Sequence, residues 1–170
     1  MKGLFRKKWL RGVVVVALAL IAYGSFRLYL NHELRVIGGK ERISDSDLQR
    51  ARWLLRLGAN PNAHFWMDAP LAFEIMTSWS PRGDGNRDLL FIELLEHGAD
   101  PNARNGWDES LPLLAQGFNI EVEKALLKHG GRLSNNMQTA LGTMQEVEKR
   151  GNKEEIELFR AAYEKEKQNP

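Results

Sequence analysis

A chain of 170 residues with a net charge of +2 and no cysteine accommodates one domain and an appendage; it excludes a disulfide framework, a thiolate metal site and a cysteine nucleophile. Split at Ser44, the charge separates: residues 1–43 hold nine Lys/Arg against two Asp/Glu, and residues 44–170 hold fifteen against twenty. A basic head on a mildly acidic body argues against nucleic acid as the body's partner, because neutralising phosphates needs Lys/Arg clustered on a folded face.

Residues 1–11 form the basic tail, with Lys2, Arg6, Lys7, Lys8 and Arg11 ahead of an uncharged run from Gly12 to Phe26. A spanning helix needs about 20 apolar residues, and Leu28, Tyr29 and Leu30 extend the run beyond Arg27, so residues 12–30 are expected to be a transmembrane helix. Arg27 can snorkel, and Tyr23 and Tyr29 suit the membrane interface. The rival expectation is a cleaved signal peptide, with Ala22 and Gly24 ahead of a cut at Ser25. Both readings keep the tail in the cytoplasm and send the body across the plasma membrane, into the periplasm if the cell is bacterial. Residues 31–43 read as a linker and 44–170 as the folded body.

Three stretches of the body align: Leu54-Leu55-Arg56-Leu57-Gly58-Ala59-Asn60-Pro61-Asn62-Ala63, Leu94-Leu95-Glu96-His97-Gly98-Ala99-Asp100-Pro101-Asn102-Ala103 and Leu126-Leu127-Lys128-His129-Gly130-Gly131-Arg132-Leu133. Each reads as a helix end. The paired leucines face inward, a glycine supplies a left-handed cap, and Pro61 or Pro101 stops the helix from resuming. After each turn, Ala69-Pro70-Leu71, Leu111-Pro112-Leu113 or Thr139-Ala140-Leu141 opens the next helix. The glycines lie 40 and then 32 residues apart. The surplus of the longer interval falls in Trp79-Ser80-Pro81-Arg82-Gly83-Asp84-Gly85-Asn86, whose turn formers predict a loop.

This pattern resembles the ankyrin repeat, whose helix start is like Thr-Pro-Leu-His and whose ending is like Leu-Leu-x-x-Gly-Ala-Asp-x-Asn. The resemblance covers about Ser44 to Lys167. It implies an all-α solenoid of a half repeat, Asp45 to Leu57, and three helix pairs beginning at Ala69, Ser110 and Gln138. The last pair lacks the Gly-Ala-Asp ending and closes on charged residues, as the cap of a solenoid should.

Function is expected on residues the fold does not require. The hairpin tips carry His64-Phe65-Trp66-Met67-Asp68 and Arg104-Asn105-Gly106-Trp107-Asp108-Glu109, and exposed aromatics beside charges have the composition of interface anchors. Phe65, Trp66, Asp68, Arg104, Trp107, Asp108 and the loop residue Phe118 are therefore the candidate partner-binding residues. The alternative for the tryptophans is that they fold back over neighbouring repeats.

His97 and His129 share one repeat position, which points to a helix-end role. His64 and Asp68 have no third ligand at metal spacing. No Gly-rich phosphate loop, Gly-x-Ser-x-Gly elbow or His-Glu-x-x-His helix occurs. The expectation is a protein that is not an enzyme, takes no cofactor, metal or small-molecule substrate, and binds a protein partner from a membrane; a plain structural spacer is the alternative.

Overall fold

The computed structural model of the chain describes residues 2–64, 69–77, 85–104, 119–133 and 137–168. These form seven α-helices: α1 Lys2–Gly38, α2 Asp45–Arg56, α3 Leu71–Thr77, α4 Gly85–Glu96, α5 Ile120–Lys128, α6 Met137–Arg150 and α7 Lys153–Gln168. No β-strand occurs among the described residues, only an isolated antiparallel bridge between His64 and Pro70. The regular structure of the described residues is all α-helical.

From Gly12 onward α1 is long and apolar enough to cross a membrane. Val13, Val15, Leu18, Leu20 and Ile21 are all exposed, so this stretch offers a bare apolar surface that water does not tolerate over such an area.

The expected linker at 31–43 is largely helix. α1 continues without a break to Gly38, and Leu30, Leu34 and Ile37 are fully buried there against α2 and α3. Their spacing of four and three residues places them on one helical face. The body therefore opens on a complete helix pair, α1 and α2, rather than on a half repeat.

The loop back to α2 is fastened in three ways. Ser44 caps α2 in a capping box with Asp47, a reciprocal arrangement that satisfies two otherwise orphaned donors. Lys40 pairs with the Asp47 carboxylate at 2.5 Å. From the first turn of α4, buried Arg87 donates to the carbonyls of Lys40 (2.6 Å) and Glu41 (3.0 Å), and Asn86 donates to the Ile43 carbonyl at 3.0 Å. Gly85 and Asn86, expected in the loop at 79–86, thus belong to α4; residues 79–84 lie outside the described residues.

Each of α2, α4 and α5 ends in the same way. The Ala59 amide donates to Leu54 O and that of Gly58 to Leu55 O; Ala99 and Gly98 repeat this with Leu94 and Leu95, and Gly131 and Gly130 with Leu126 and Leu127. The cap glycines Gly58, Gly98 and Gly130 have φ of 92°, 90° and 90°, the left-handed geometry of the Schellman cap. Of the paired leucines, Leu54, Leu55, Leu94, Leu95 and Leu126 are buried; Leu127 is half-buried and packs on a second cluster built on Leu133 and on Ala140, Met144, Val147 and Phe159 of the last helix pair.

Packing runs in a line. α2 lies against α1 and α4, α4 against α5, and α5 against α7. α2 and α4 also meet through the Arg52–Glu93 ion pair at 2.6 Å. Among the described residues, α1 to α5 share one core cluster, and α6 and α7 form a second that Leu127 of α5 packs against.

Candidate functional site

The three glycine turns form a row joined by side-chain amides. Asn62 donates from Nδ2 to the Gly98 carbonyl (2.9 Å) and accepts at Oδ1 from the Asp100 amide (2.7 Å). Asn102 does the same one turn further on, donating to the Gly130 carbonyl (2.9 Å) and accepting from the Arg132 amide (2.8 Å). An asparagine suits this role because its side chain carries a donor and an acceptor side by side.

The first turn receives its partners from α1. Asn31 Oδ1 accepts from the Asn60 amide at 2.7 Å, and the Arg27 guanidinium donates to the Gly58 carbonyl. The row of turns therefore begins on the helix that carries the apolar run, and its first member lies at the level of residues 27–31, directly beyond that run.

Beside this first turn, the last part of α2 is not covered. Trp53 is 58% and Leu57 39% exposed, and they are four residues apart on one face of the helix. Arg56 between them is exposed as well. At the equivalent place in the second turn, His97 Nδ1 donates to the Glu93 carbonyl at 2.9 Å, so this imidazole closes the last turn of α4; His129 occupies the C-cap of α5.

Of the residues expected to bind a partner, Arg104 is described and half-buried, directly after the second turn. Phe65, Trp66, Asp68, Trp107, Asp108 and Phe118 lie outside the described residues. Ala63 and Ala103, which precede the two expected tips in sequence, are both buried. The Leu71 amide donates to the Ala63 carbonyl at 3.0 Å, which with the His64–Pro70 bridge holds residues 63–64 beside 70–71. The Arg35 guanidinium donates to the His64 carbonyl at 3.2 Å, a further tie from α1.

At the far end of the row, a groove of about 560 Å³ opens between the third turn and α7. Half-buried Leu127, Leu158 and Ala162 line it together with exposed Lys128, Arg132 and Lys165. Lys124, also on its wall, lies 2.5 Å from Glu154 and 3.0 Å from Glu121, and these carboxylates hold its ammonium above the ordinary lysine range. Glu166 accepts from the Leu133 amide at 2.5 Å. The groove thus joins an apolar floor to walls that carry Lys124, Lys128, Arg132 and Lys165 beside the single carboxylate Glu166. Among the described residues, no group of three His, Asp or Glu side chains converges as metal ligands.

Sequence reasoning missed Trp53, Leu57 and Asn31. Asn31 carries no repeat signature, Trp53 directly precedes the first motif, and Leu57 lies within it as the C-cap of α2, where apolar residues read as core. Compared with known proteins, the chain matches no family model and no curated protein.

Proposed function

We propose that this chain is an ankyrin-type interaction module held at a membrane by α1, which binds a protein partner through its hairpin tips and the surface beside them. The observation that carries the reading is the recurrence of one unit. The leucine pair, the left-handed glycine and the bridging asparagine return together, with the same bonds from one turn to the next. In such a stack each unit packs only on its neighbours, and the turns line up along one edge.

Anchoring by α1 confines the search for a partner to one membrane face, and the positive-inside tendency of the basic tail supports the face opposite the cytoplasm. Scaffolding of an envelope complex, control of an enzyme and blocking of a toxin all fit such a module. Trp107→Ala is expected to weaken the complex by about 2 kcal/mol, the scale of a hot-spot tryptophan, with thermal unfolding unchanged. Lost stability at unchanged affinity would instead place Trp107 in the core.

A second reading is favoured by the unbroken passage of α1 into the body: a rigid spacer that sets a distance from the membrane. Under it, shortening the stack abolishes activity while Trp66→Ala and Trp107→Ala leave it intact.

A further inference from the structure

We propose that the end of α2, with Trp53 and Leu57, is seated in the headgroup layer of the bilayer that α1 crosses, so that the row of turns lies against the membrane surface. The inference rests on α1 spanning a membrane and adds a second, lateral contact with the lipid.

The first step is a length. The uncharged run Gly12–Phe26 is fifteen residues, about 22 Å at 1.5 Å per residue, against a hydrocarbon core of about 30 Å. The shortfall has to be met at one end. On the N-terminal side stand Arg11, Lys8, Lys7 and Arg6, whereas Arg27-Leu28-Tyr29-Leu30-Asn31 carries a single charge. Extension through the C-terminal side costs less, which brings residues 27–31 to the hydrocarbon boundary.

The second step is the fastening of the body at that level. Asn31 holds the Asn60 amide, and Arg27 holds the Gly58 carbonyl. The Arg27 guanidinium thereby has an acceptor at the boundary, which lowers the cost of bringing its charge there. The turn Leu57–Asn60 cannot rise away from the bilayer without breaking these bonds. α2 runs back along α1, since Arg50 pairs with Glu33 and Asp47 with Lys40; its C-terminal end therefore points to the membrane and its N-terminal end away.

The third step is composition. What α2 brings to that level is an exposed tryptophan, an exposed leucine and an exposed arginine. Tryptophan prefers the headgroup region, where its ring is apolar and its N–H meets polar groups, and arginine suits phosphate. The exposed Tyr29 of α1 belongs to the same belt.

The absence of native cysteine gives a direct test in the full chain reconstituted into phosphatidylcholine–phosphatidylglycerol vesicles. Single-cysteine variants Val16→Cys, Leu57→Cys and Glu41→Cys each carry a nitroxide, and its collisions with oxygen and with a water-soluble nickel chelate report depth. The Leu57→Cys label is expected to be shielded severalfold from the chelate relative to Glu41→Cys, and open to lipid-dissolved oxygen. Equal chelate access at both positions, with the Val16→Cys label inside the hydrocarbon, overturns the seating while leaving the span intact. A Val16→Cys label in water overturns the span and the seating together. A Leu57→Cys label shielded from chelate and oxygen alike means that a second copy of the chain covers the patch, which also overturns the proposal.

Discussion

Asn62→Ala removes the two bonds that join the first glycine turn to the second, at 2.9 and 2.7 Å. Each is worth about 1 kcal/mol net. The groups are exposed, so water replaces part of what is lost, and a total of about 1 to 2 kcal/mol follows. For a body of this size, that corresponds to a fall in Tm of about 4 to 8 °C. Thermal unfolding of the full chain in detergent, followed by far-ultraviolet circular dichroism, reads it directly. Asn102→Ala breaks the equivalent bonds to Gly130 and Arg132 and is expected to cost the same, with the double variant losing the sum, because nearest-neighbour terms in a stack add. A single variant that unfolds within about 1 °C of the parent, under 0.5 kcal/mol on the same scale, would refute the reasoning that the asparagines couple the turns.

Leu34→Ala opens a cavity where α1 meets the body and is expected to cost about 3 kcal/mol, readable in the same melt; a small loss would mean that α1 merely tethers the body. Gly98→Ala meets no atom within 4 Å but sits at φ +90°, so it should cost about 1 kcal/mol through backbone strain alone. Gly142→Ala, mid-helix in α6 and in open space, should stabilise by about 0.5 to 1 kcal/mol. Opposite signs for the two glycines are the check on the caps. The Asp47 carboxyl is held at about 2, below its ordinary 3.8, first by Lys40 and then by Ser44. Folding therefore favours the ionised form: its contribution is complete above about pH 4 and is lost as the pH falls towards 2. Asp47→Asn should flatten that part of the stability profile, measured by denaturant titration at stepped pH.

The helix ends were the most legible part of the fold. A leucine pair followed by Gly58, Gly98 or Gly130 encodes a helix stop through local backbone chemistry, and all three glycines have positive φ. The N-terminal boundary was not legible. Leu30, Leu34 and Ile37 follow an apolar run, and leucine has the same side chain whether it meets lipid or protein; only the fold distinguishes the two. Hence residues 31–38 read as a linker although they complete the first helix pair. Arg87 shows the same limit, since nothing in its sequence context marks this charged residue as one that turns inward to hold the carbonyls of Lys40 and Glu41. For the candidate site, the turns are readable from repeated residues, whereas Trp53 and Leu57 stand where the other two stretches carry Glu93 and Ala125, and His97 and His129, and are visible only through their exposure.

The proposed function is tested most directly by crosslinking the intact protein in its native cells and recovering partners beside a Trp66→Ala/Trp107→Ala double variant of equal abundance. The account predicts a protein partner that is captured by the parent and lost from the double variant. Partners captured equally by both would contradict binding through the tips, and no captured partner at all would leave the spacer in its place.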